Sequence, residues 1–357
     1  MATQQLTVVN MTPAATCGQA RVAVVIPCYK VRDAILGVIG RIGPGCSHIF
    51  VVDDACPEGS GKWVEQSCTD PRVTVIFHAQ NQGVGGAVVT GYHHALEAGA
   101  AVIVKIDGDG QMDPADLERF TAPILSQRAD YTKGNRFYNI ADVASMPPVR
   151  LFGNAGLSFM TKLSSGYWQI FDPTNGYTAI SANVARKMGL EHVHKRYFFE
   201  SDMLFRLGTM RACVLDIPMT AVYGDEQSSL NLMRALVEFP WNHTRNTVKR
   251  IFYSYFLRGF SVASLELLLG LGLFAFGFLF GAVTWRQSMV GGTAATSGTV
   301  MLSVLPIILG IQFLLAFFAF DVSSAPQIPI GPLLTPSEKD LREPAAHCHG
   351  ERPEETP

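Results

Sequence analysis

Short apolar runs alternate with amphipathic stretches from Arg21 onward. In the first such stretch, apolar side chains recur at helical spacing from Ala34 to Ile42. Nearly continuous apolar strands separated by helices are typical of parallel strands buried on both faces. The pattern therefore predicts an α/β fold with a mostly parallel sheet flanked by helices, whose ligands bind at the carboxyl ends of the strands. The predicted strands are "VAVVIP", "HIFVVDD", "VTVIF" and "AVIVKID".

Two much longer apolar runs lie in the last third of the chain, from Ser261 to Thr284 and from Val300 to Phe320. Each has roughly 20 apolar residues, enough to cross a bilayer as a helix. Charged residues make up only 16% of the chain, compared with about 25% in an ordinary soluble domain. The sequence therefore predicts a hairpin of two transmembrane helices in an integral membrane protein.

The charges around the two runs predict a topology. The loop between them carries a single cation, Arg286, whereas several lysines and arginines flank the hairpin on both outer sides. By the positive-inside tendency, the catalytic domain and both termini are expected on the cytoplasmic side of the membrane.

The segment before the first run separates aromatic and apolar residues from basic ones. Trp241, Val248 and Phe252 fall on one side of a helix, and Arg245 and Lys249 on the other. This predicts a helix lying in the membrane interface, with a surface helix of the globular domain as the alternative. The predicted division is a flexible N-terminus (1–20), a catalytic domain (21–226), interfacial helices (227–260), the membrane hairpin (261–320) and a disordered tail (321–357).

Net charge and cysteine content exclude some classes of protein. The formal net charge of −2 disfavours a nucleic-acid-binding protein. The seven cysteines form no CxxC pair and are odd in number, which favours free thiols in a reducing compartment over a disulfide framework.

Polar side chains follow the fourth predicted strand in the motif "KIDGDGQMDP". Asp107, Asp109 and Gln111 occupy every second position after the strand. Their hard oxygen atoms suit Mg²⁺ or Mn²⁺ that also binds a substrate diphosphate. An EF-hand is excluded, because its sixth position requires glycine and is Met112 here. Asp113 before Pro114 is predicted to be a structural helix N-cap.

A glycine-rich loop, residues 81–91, lies between a predicted strand and a predicted helix. The dinucleotide-binding pattern GxGxxG is broken at Val88, and no GxxxxGK[ST] motif occurs in the chain. A nicotinamide cofactor is therefore not predicted. The loop can still allow a nucleotide phosphate or a sugar to approach the backbone closely.

Seven motifs in order resemble the family-two glycosyltransferases of GT-A fold: "VVIPCYK", "VVDDACPEGS", "NQGVGGAVVTGY", "KIDGDGQMDP", "KGNRF", "DPTNGYTAI" and "FFESDMLF". The later motifs and the two apolar runs resemble the polyprenyl-phosphate sugar transferases, and the resemblance extends from about Arg21 to Phe320. It implies metal-dependent transfer of a sugar from a UDP- or GDP-linked donor to undecaprenyl or dolichyl phosphate. Self-association into a homo-oligomer is also implied. Because a lipid phosphate is already anionic and needs no strong general base, we further predict a single displacement on an α-linked donor, with inversion to a β-linked product.

The same resemblance assigns roles to individual residues. The donor nucleotide would contact Pro27, Tyr29, Asp54, Gly83 and Asp107, with Asp54 at the base or ribose. The metal would bind Asp107, Asp109 and Gln111. The acceptor phosphate would bind Arg136 and Arg150, and the sugar would lie beside Asn175 and Gly176. The catalytic carboxylates would be Asp109, Asp172, Glu200 and Asp202, with Asp202 as the candidate base.

Two departures from the family pattern and two alternatives remain at this point. Lys30-Val31 stands where many members have Asn-Glu, and residues 224–231 lack the basic residues of some mannose synthases. A processive polysaccharide synthase would carry a QxxRW motif, which the chain lacks. The alternatives are a glycosyltransferase with another acceptor and a non-catalytic sugar-nucleotide-binding subunit of an envelope glycan complex.

Overall fold

The computed structural model describes residues 21–138, 148–220 and 232–334, without the side chains of 148–151 and 232–236. Within these residues one sheet has the strand order β3-β2-β1-β4-β6-β5-β7. Only β6 runs antiparallel to its neighbours; the other pairings are parallel. The strands are β1 (Val22–Cys28), β2 (His48–Asp53), β3 (Val73–Phe77), β4 (Val102–Lys105), β5 (Tyr131–Asn135), β6 (Thr178–Ser181) and β7 (Val214–Pro218).

Helices cover both faces of this sheet. Val24 of β1 packs with α1 and α4 in one apolar cluster, and the next residue, Val25, packs with α3 and α7 in the other. This alternation explains why the strand sequence is apolar at nearly every position, and it confirms the predicted mostly parallel α/β sheet. The helices of this domain are α1 (Arg32–Gly40), α2 (Ser60–Ser67), α3 (Val84–Glu97), α4 (Leu117–Leu125), α5 (Pro148–Ser165), α6 (Ala182–Lys187) and α7 (Phe199–Met210).

The sheet register brings two motif loops together. Lys105, the last residue of β4, pairs with Thr178, the first residue of β6. Because these strands are antiparallel, the loop after β4 and the loop before β6 lie at the same edge of the sheet. The order of the parallel strands also reverses between β1 and β4, which is where α/β proteins bind their ligands.

Two long apolar helices form a hairpin, α9 (Val262–Gly291) and α10 (Ser297–Ser323), and both are long and apolar enough to cross a membrane. Most of their side chains are exposed, whereas a helix in a soluble core would bury them. Small residues allow the two backbones to touch: a Cβ on Gly277 would lie 2.6 Å from the carbonyl oxygen of Ser303.

The predicted interfacial segment is a single helix, α8 (Leu232–Phe252), followed by a π-helical turn from Tyr253 to Arg258. The helix continues through Pro240. The polar face, which includes His243, is buried against the catalytic domain, whereas Trp241 and other apolar side chains are exposed. An exposed apolar face next to the hairpin is what a helix in the membrane interface would require, and that location stays a prediction.

A buried ion pair joins the hairpin to the rest of the protein. The carboxylate of Asp321, near the end of α10, accepts hydrogen bonds from both terminal nitrogens of Arg250, at 2.7 and 3.0 Å. It also accepts from the hydroxyl of Tyr255 at 2.5 Å and from the indole nitrogen of Trp168 at 2.8 Å. Arg250, a basic residue of α8 like Arg245 and Lys249, is thus buried, whereas those two are exposed.

The chain after the hairpin returns to the catalytic domain. The buried carboxylate of Asp130 accepts hydrogen bonds from the backbone nitrogens of Ile330 at 2.9 Å and Gly331 at 2.6 Å. Asn183 donates a further bond to the carbonyl oxygen of Gly331. The prediction of a disordered tail from Asp321 is therefore wrong for residues 321–334, because a buried acceptor holds their backbone. Residues 1–20 and 335–357 lie outside the described part.

Candidate active site

The carboxylates of the "DGDG" motif lie directly after β4 and are partly exposed. Asp107 is bound through Oδ1 to Nζ of Lys105 at 2.8 Å, and Oδ1 of Asp109 accepts from the backbone nitrogen of Gln111 at 2.9 Å. Asp113 instead caps the following turn by accepting from the backbone nitrogen of Ala115, so its predicted structural role is confirmed.

Lys105 is a buried cation between two carboxylates. Its Nζ lies 2.8 Å from Asp107 and 3.3 Å from Oε1 of Glu200, at the start of α7. Burial alone would lower the pKa of Lys105, but the two carboxylates raise that pKa above its ordinary value, so the lysine stays charged. Glu200, predicted from the sequence as a catalytic carboxylate, is thus linked to the predicted metal ligand Asp107.

Gly176, in the loop before β6, lies against this cluster. A Cβ there would overlap the carboxylate of Asp107 and lie 2.5 Å from Nζ of Lys105. Any side chain here would have to displace the carboxylate of Asp107 and the ammonium group of Lys105, which explains the residue type at this position. The structure therefore brings the predicted sugar-proximal loop to the predicted metal ligands.

Arg136 and Asp172 form a two-pronged ion pair. Nε of Arg136 lies 2.7 Å from Oδ2 of Asp172, and the second prong spans 3.0 Å to Oδ1. The carboxylate is fully buried, whereas the arginine side chain is 28% exposed. The residue predicted to bind the acceptor phosphate is therefore oriented by a residue predicted to be catalytic.

A second buried lysine lies beneath the same loop. Nζ of Lys133 donates to the backbone oxygen of Asn175 at 2.5 Å, and burial lowers the pKa of this lysine to about 8. Burial likewise raises the pKa of nearby Asp216 to about 6. Sequence reasoning missed Lys105, Lys133 and Asp216, although a charge within a buried strand is uncommon enough to have marked both lysines.

Asp54 holds the glycine-rich loop. Its buried carboxylate accepts from the backbone nitrogens of Gln82 at 2.8 Å and Gly83 at 2.7 Å, and it contacts His78 at 2.8 Å. Gly83 has a φ of +88°, and a Cβ there would lie 2.6 Å from the backbone oxygen of Lys195. These contacts assign Asp54 a loop-positioning task, and its direct contact with the nucleotide stays a prediction.

The other predicted donor contacts lie at the end of β1. The ring of Tyr29 is 41% exposed and Pro27 is partly exposed, so both are accessible to a ligand at this edge of the sheet. Arg150 lies in the first turn of α5, where only the backbone is described.

Asp202 does not join the cluster around Lys105. Its carboxylate accepts from Nε of Arg206 and the backbone nitrogen of His194, both at 3.0 Å, and from Asn246 of α8 at 3.1 Å. Residues two apart on a helix point to different sides, which is why Glu200 reaches Lys105 and Asp202 does not. Asp202 therefore connects α7 to α8.

The donor atoms suit a metal that shares its ligands with a substrate. Among the described residues, no group of three or more His, Cys, Asp or Glu side chains is placed to bind a metal ion on its own. Two carboxylates and an amide supply only part of a coordination shell, and Mg²⁺ commonly completes such a shell with substrate phosphates and water.

Comparison with known proteins identifies the class of this fold and site. The model of the family "Glycosyl transferase family 2" matches residues 23–189. The undecaprenyl-phosphate mannosyltransferase of Micrococcus luteus is 31% identical over 206 residues, covering 57% of this chain and 84% of that protein. The chain therefore belongs to glycosyl transferase family 2 and is a glycosyltransferase.

Two further relatives and one solved structure are similar to this chain. The UDP-N-acetylglucosamine–dolichyl-phosphate N-acetylglucosaminyltransferase of Methanococcus voltae is 29% identical over 213 residues, 56% of this chain and 84% of that protein. The polyprenol monophosphomannose synthase of Mycolicibacterium smegmatis is 31% identical over 213 residues, which cover 58% of this chain and 80% of that protein. The structure of glucosyl-3-phosphoglycerate synthase of Mycobacterium tuberculosis, solved with Mn²⁺ and UDP, is 16% identical with a TM-score of 0.47. The match covers 65% of this chain and 80% of that protein.

Proposed function

We propose that this glycosyltransferase moves a sugar from a nucleotide-sugar to the phosphate of a polyprenyl phosphate. One observation carries the proposal: Asp321 of the hairpin binds both Arg250 of α8 and Trp168 of the catalytic domain, and so fixes that domain to a hairpin long enough to span a membrane. A lipid acceptor stays in the bilayer, so an enzyme that uses it must hold its site at the membrane surface. The names of the three relatives, each specifying a polyprenyl-type phosphate or polyprenol, support the same acceptor.

The donor diphosphate would bind at the "DGDG" motif. Asp107, Asp109 and Gln111 are the residues that would hold Mg²⁺ or Mn²⁺, because their oxygen atoms are hard ligands beside a partly exposed edge of the sheet. Bound there, the metal would stabilise the negative charge that develops on the leaving diphosphate. Lys105 holds Asp107 in place from the buried side, and Gly176 allows the sugar-proximal loop to close over the pair.

On the acceptor side, the reaction requires a correctly oriented phosphate more than it requires proton transfer. A lipid phosphate is already anionic at neutral pH, so it can attack without a strong general base. Arg136, oriented by Asp172, and Arg150 are proposed to bind this phosphate, since a guanidinium matches phosphate oxygens. A single displacement on an α-linked donor would invert the anomeric centre and give a β-linked product.

The charge distribution supports a cytoplasmic catalytic domain. The 285–299 segment between the apolar runs has one cation, and the interfacial helix before them has several. A cytoplasmic site would meet nucleotide-sugars where they are made. Self-association, implied by the family resemblance, is retained as part of this proposal.

The test is sugar transfer by the full-length protein purified in detergent. A panel of UDP- and GDP-sugars is offered with undecaprenyl or dolichyl phosphate and Mg²⁺ or Mn²⁺. We expect a lipid-linked sugar that EDTA abolishes and that Asp109→Asn slows by about 10²–10³-fold. Asp113→Asn is the matched control, because asparagine also caps a helix and the residue lies outside the cluster.

Three results would count against this function. An α-linked product would contradict the single displacement, and preference for a soluble acceptor would contradict the lipid phosphate. Metal-dependent donor binding without transfer to either lipid would favour the alternative of a sugar-nucleotide-binding subunit.

A further inference from the structure

A cavity of about 320 Å³ lies where the catalytic domain meets the hairpin, away from the cluster around Lys105. Helices α5 and α7 end at it, the π-helical turn passes it, and α9 and α10 begin and end beside it. Its polar lining includes Arg211, Arg250, Arg258, Ser254, Ser261 and Ser324.

The cavity lies at the level where the hairpin enters the membrane. Ser261 is the N-cap of α9, and Ser324 is the C-cap of α10. Both therefore mark the same end of the two apolar helices. In a membrane, that end lies among the lipid head groups, so the polar lining faces phosphates and water and not acyl chains.

Two of the three arginines keep an uncompensated charge. Arg250 is neutralised by Asp321, but Arg211 donates to the carbonyl oxygen of Ser324 at 3.1 Å and Arg258 to that of Thr209 at 2.8 Å. Within the described part of the chain, neither Arg211 nor Arg258 pairs with a carboxylate. Each guanidinium has five N–H donors, so one bond to a carbonyl leaves most of them for another acceptor.

This cavity is separate from the catalytic cluster. Glu200 contacts Lys105 at the start of α7, whereas Gly208 lines the cavity eight residues later. At ~1.5 Å per residue, these positions are about 12 Å apart along the helix. The cavity and the cluster around Lys105 therefore lie at opposite ends of α7.

We propose that Arg211 and Arg258 bind the phosphate of an anionic bilayer lipid in this cavity. Guanidinium groups match phosphate oxygens, and basic pockets at the ends of membrane helices suit anionic head groups. The bound lipid would link α7 and the π-helical turn to the hairpin and so fix the height of the active site above the bilayer. This site requires the hairpin to be in a membrane, but it is independent of the donor and acceptor of the reaction.

The test measures lipid binding and not turnover. The full-length protein is placed in phosphatidylcholine nanodiscs with graded amounts of phosphatidylglycerol, then released into mild detergent for native mass spectrometry of retained lipid. We expect the wild type to retain phosphatidylglycerol in preference to phosphatidylcholine. The double variant Arg211→Gln/Arg258→Gln should retain it at least about tenfold less, because two charge-assisted hydrogen-bonding groups are lost.

The control removes the same amount of charge from outside the cavity. Arg245 and Lys249 are exposed cations on α8 that do not line it. Arg245→Gln/Lys249→Gln should leave phosphatidylglycerol retention nearly unchanged. Arg258→Lys keeps the charge and should retain more lipid than Arg258→Gln, and near-ultraviolet circular dichroism checks that each variant is folded.

Several outcomes would overturn the proposal. Equal loss in the control pair would mean diffuse attraction to the membrane, and no preference for phosphatidylglycerol would mean no anionic site. Displacement by millimolar inorganic phosphate would indicate a free-phosphate site. Displacement by undecaprenyl phosphate, but not by added phosphatidylglycerol, would make a polyprenyl phosphate the occupant. The assay measures lipid retention and involves no sugar transfer. Its result can therefore be interpreted even if the proposed glycosyltransferase function is wrong.

Discussion

Replacing Lys105 by methionine should destabilise the catalytic domain and make its stability depend on divalent metal. Methionine fills a similar volume but removes the cation that lies between Asp107 and Glu200. The side chain of Lys105 is 1% exposed, that of Glu200 is 14% exposed and that of Asp107 is 28% exposed. The variant therefore leaves two carboxylates facing each other with little water to screen them.

The size of the effect follows from this burial. Removing one partner of a buried ion pair costs about 3–5 kcal/mol, and partial exposure of Asp107 places the expected loss near the lower end. A loss of about 3 kcal/mol is large compared with a typical unfolding free energy of about 5–15 kcal/mol. Adding Glu200→Gln should recover part of it, because only one uncompensated carboxylate then remains.

The assay is urea unfolding of the full-length protein in mild detergent, with the folded fraction read by pulse proteolysis. Mn²⁺ should stabilise Lys105→Met more than the wild type, since a divalent cation would then compensate the charge on Asp107. Lys62→Met is the control, because Lys62 is exposed and its loss should change the unfolding free energy by less than about 0.5 kcal/mol. A Lys105→Met variant as stable as this control would refute the reasoning, and so would a double variant less stable than the single one.

Three further changes test separate parts of the molecule. Gly176→Ala should nearly abolish sugar transfer in a steady-state assay while leaving the protein folded, because the added methyl group overlaps the carboxylate of Asp107. Burial lowers the pKa of His243 to about 4 from an ordinary value of 6.5. The unfolded chain therefore binds a proton that the folded chain does not, and stability should fall as the pH drops from about 6.5 to 4. Asp321→Asn should cost about 3 kcal/mol by leaving Arg250 buried without its counter-ion, and limited proteolysis should then cut the 324–334 segment faster.

Each of these three changes has a control and a contradicting result. Gly153→Ala adds a methyl group with nothing within 4 Å and should keep full activity; equal loss in both glycine variants would contradict the steric argument. His243→Gln should flatten the fall in melting temperature between pH 6.5 and 4, and an unchanged slope would assign that fall to other groups. Asp116→Asn removes a carboxylate far from the pair of Arg250 and Asp321. If both variants were cut equally fast, the ion pair would not be what holds the 324–334 segment.

The pattern and length of the apolar runs were enough to predict the sheet and the hairpin of two long apolar helices. Strands buried on both faces and long exposed apolar helices each leave a local pattern, so one sequence reveals them. The contacts of the site residues were not predictable in this way. The pairing of Arg136 with Asp172, and of Lys105 with Glu200, joins residues that are 36 and 95 positions apart. Only the strand order brings these residues together.

Paired carboxylates in one motif can serve different purposes, and the "FFESD" motif shows why. Glu200 faces β4 and joins the cluster around Lys105, whereas Asp202 faces α8 and binds Arg206 and Asn246. A carboxylate whose two oxygens are held by three structural donors is poorly suited to accept a proton from a substrate. Glu200 therefore lies in the candidate active site, whereas Asp202 binds α8. Because both lie on α7, the bond of Asp202 to Asn246 connects the helix that carries Glu200 to α8, and the pair of Arg250 and Asp321 connects α8 to the hairpin.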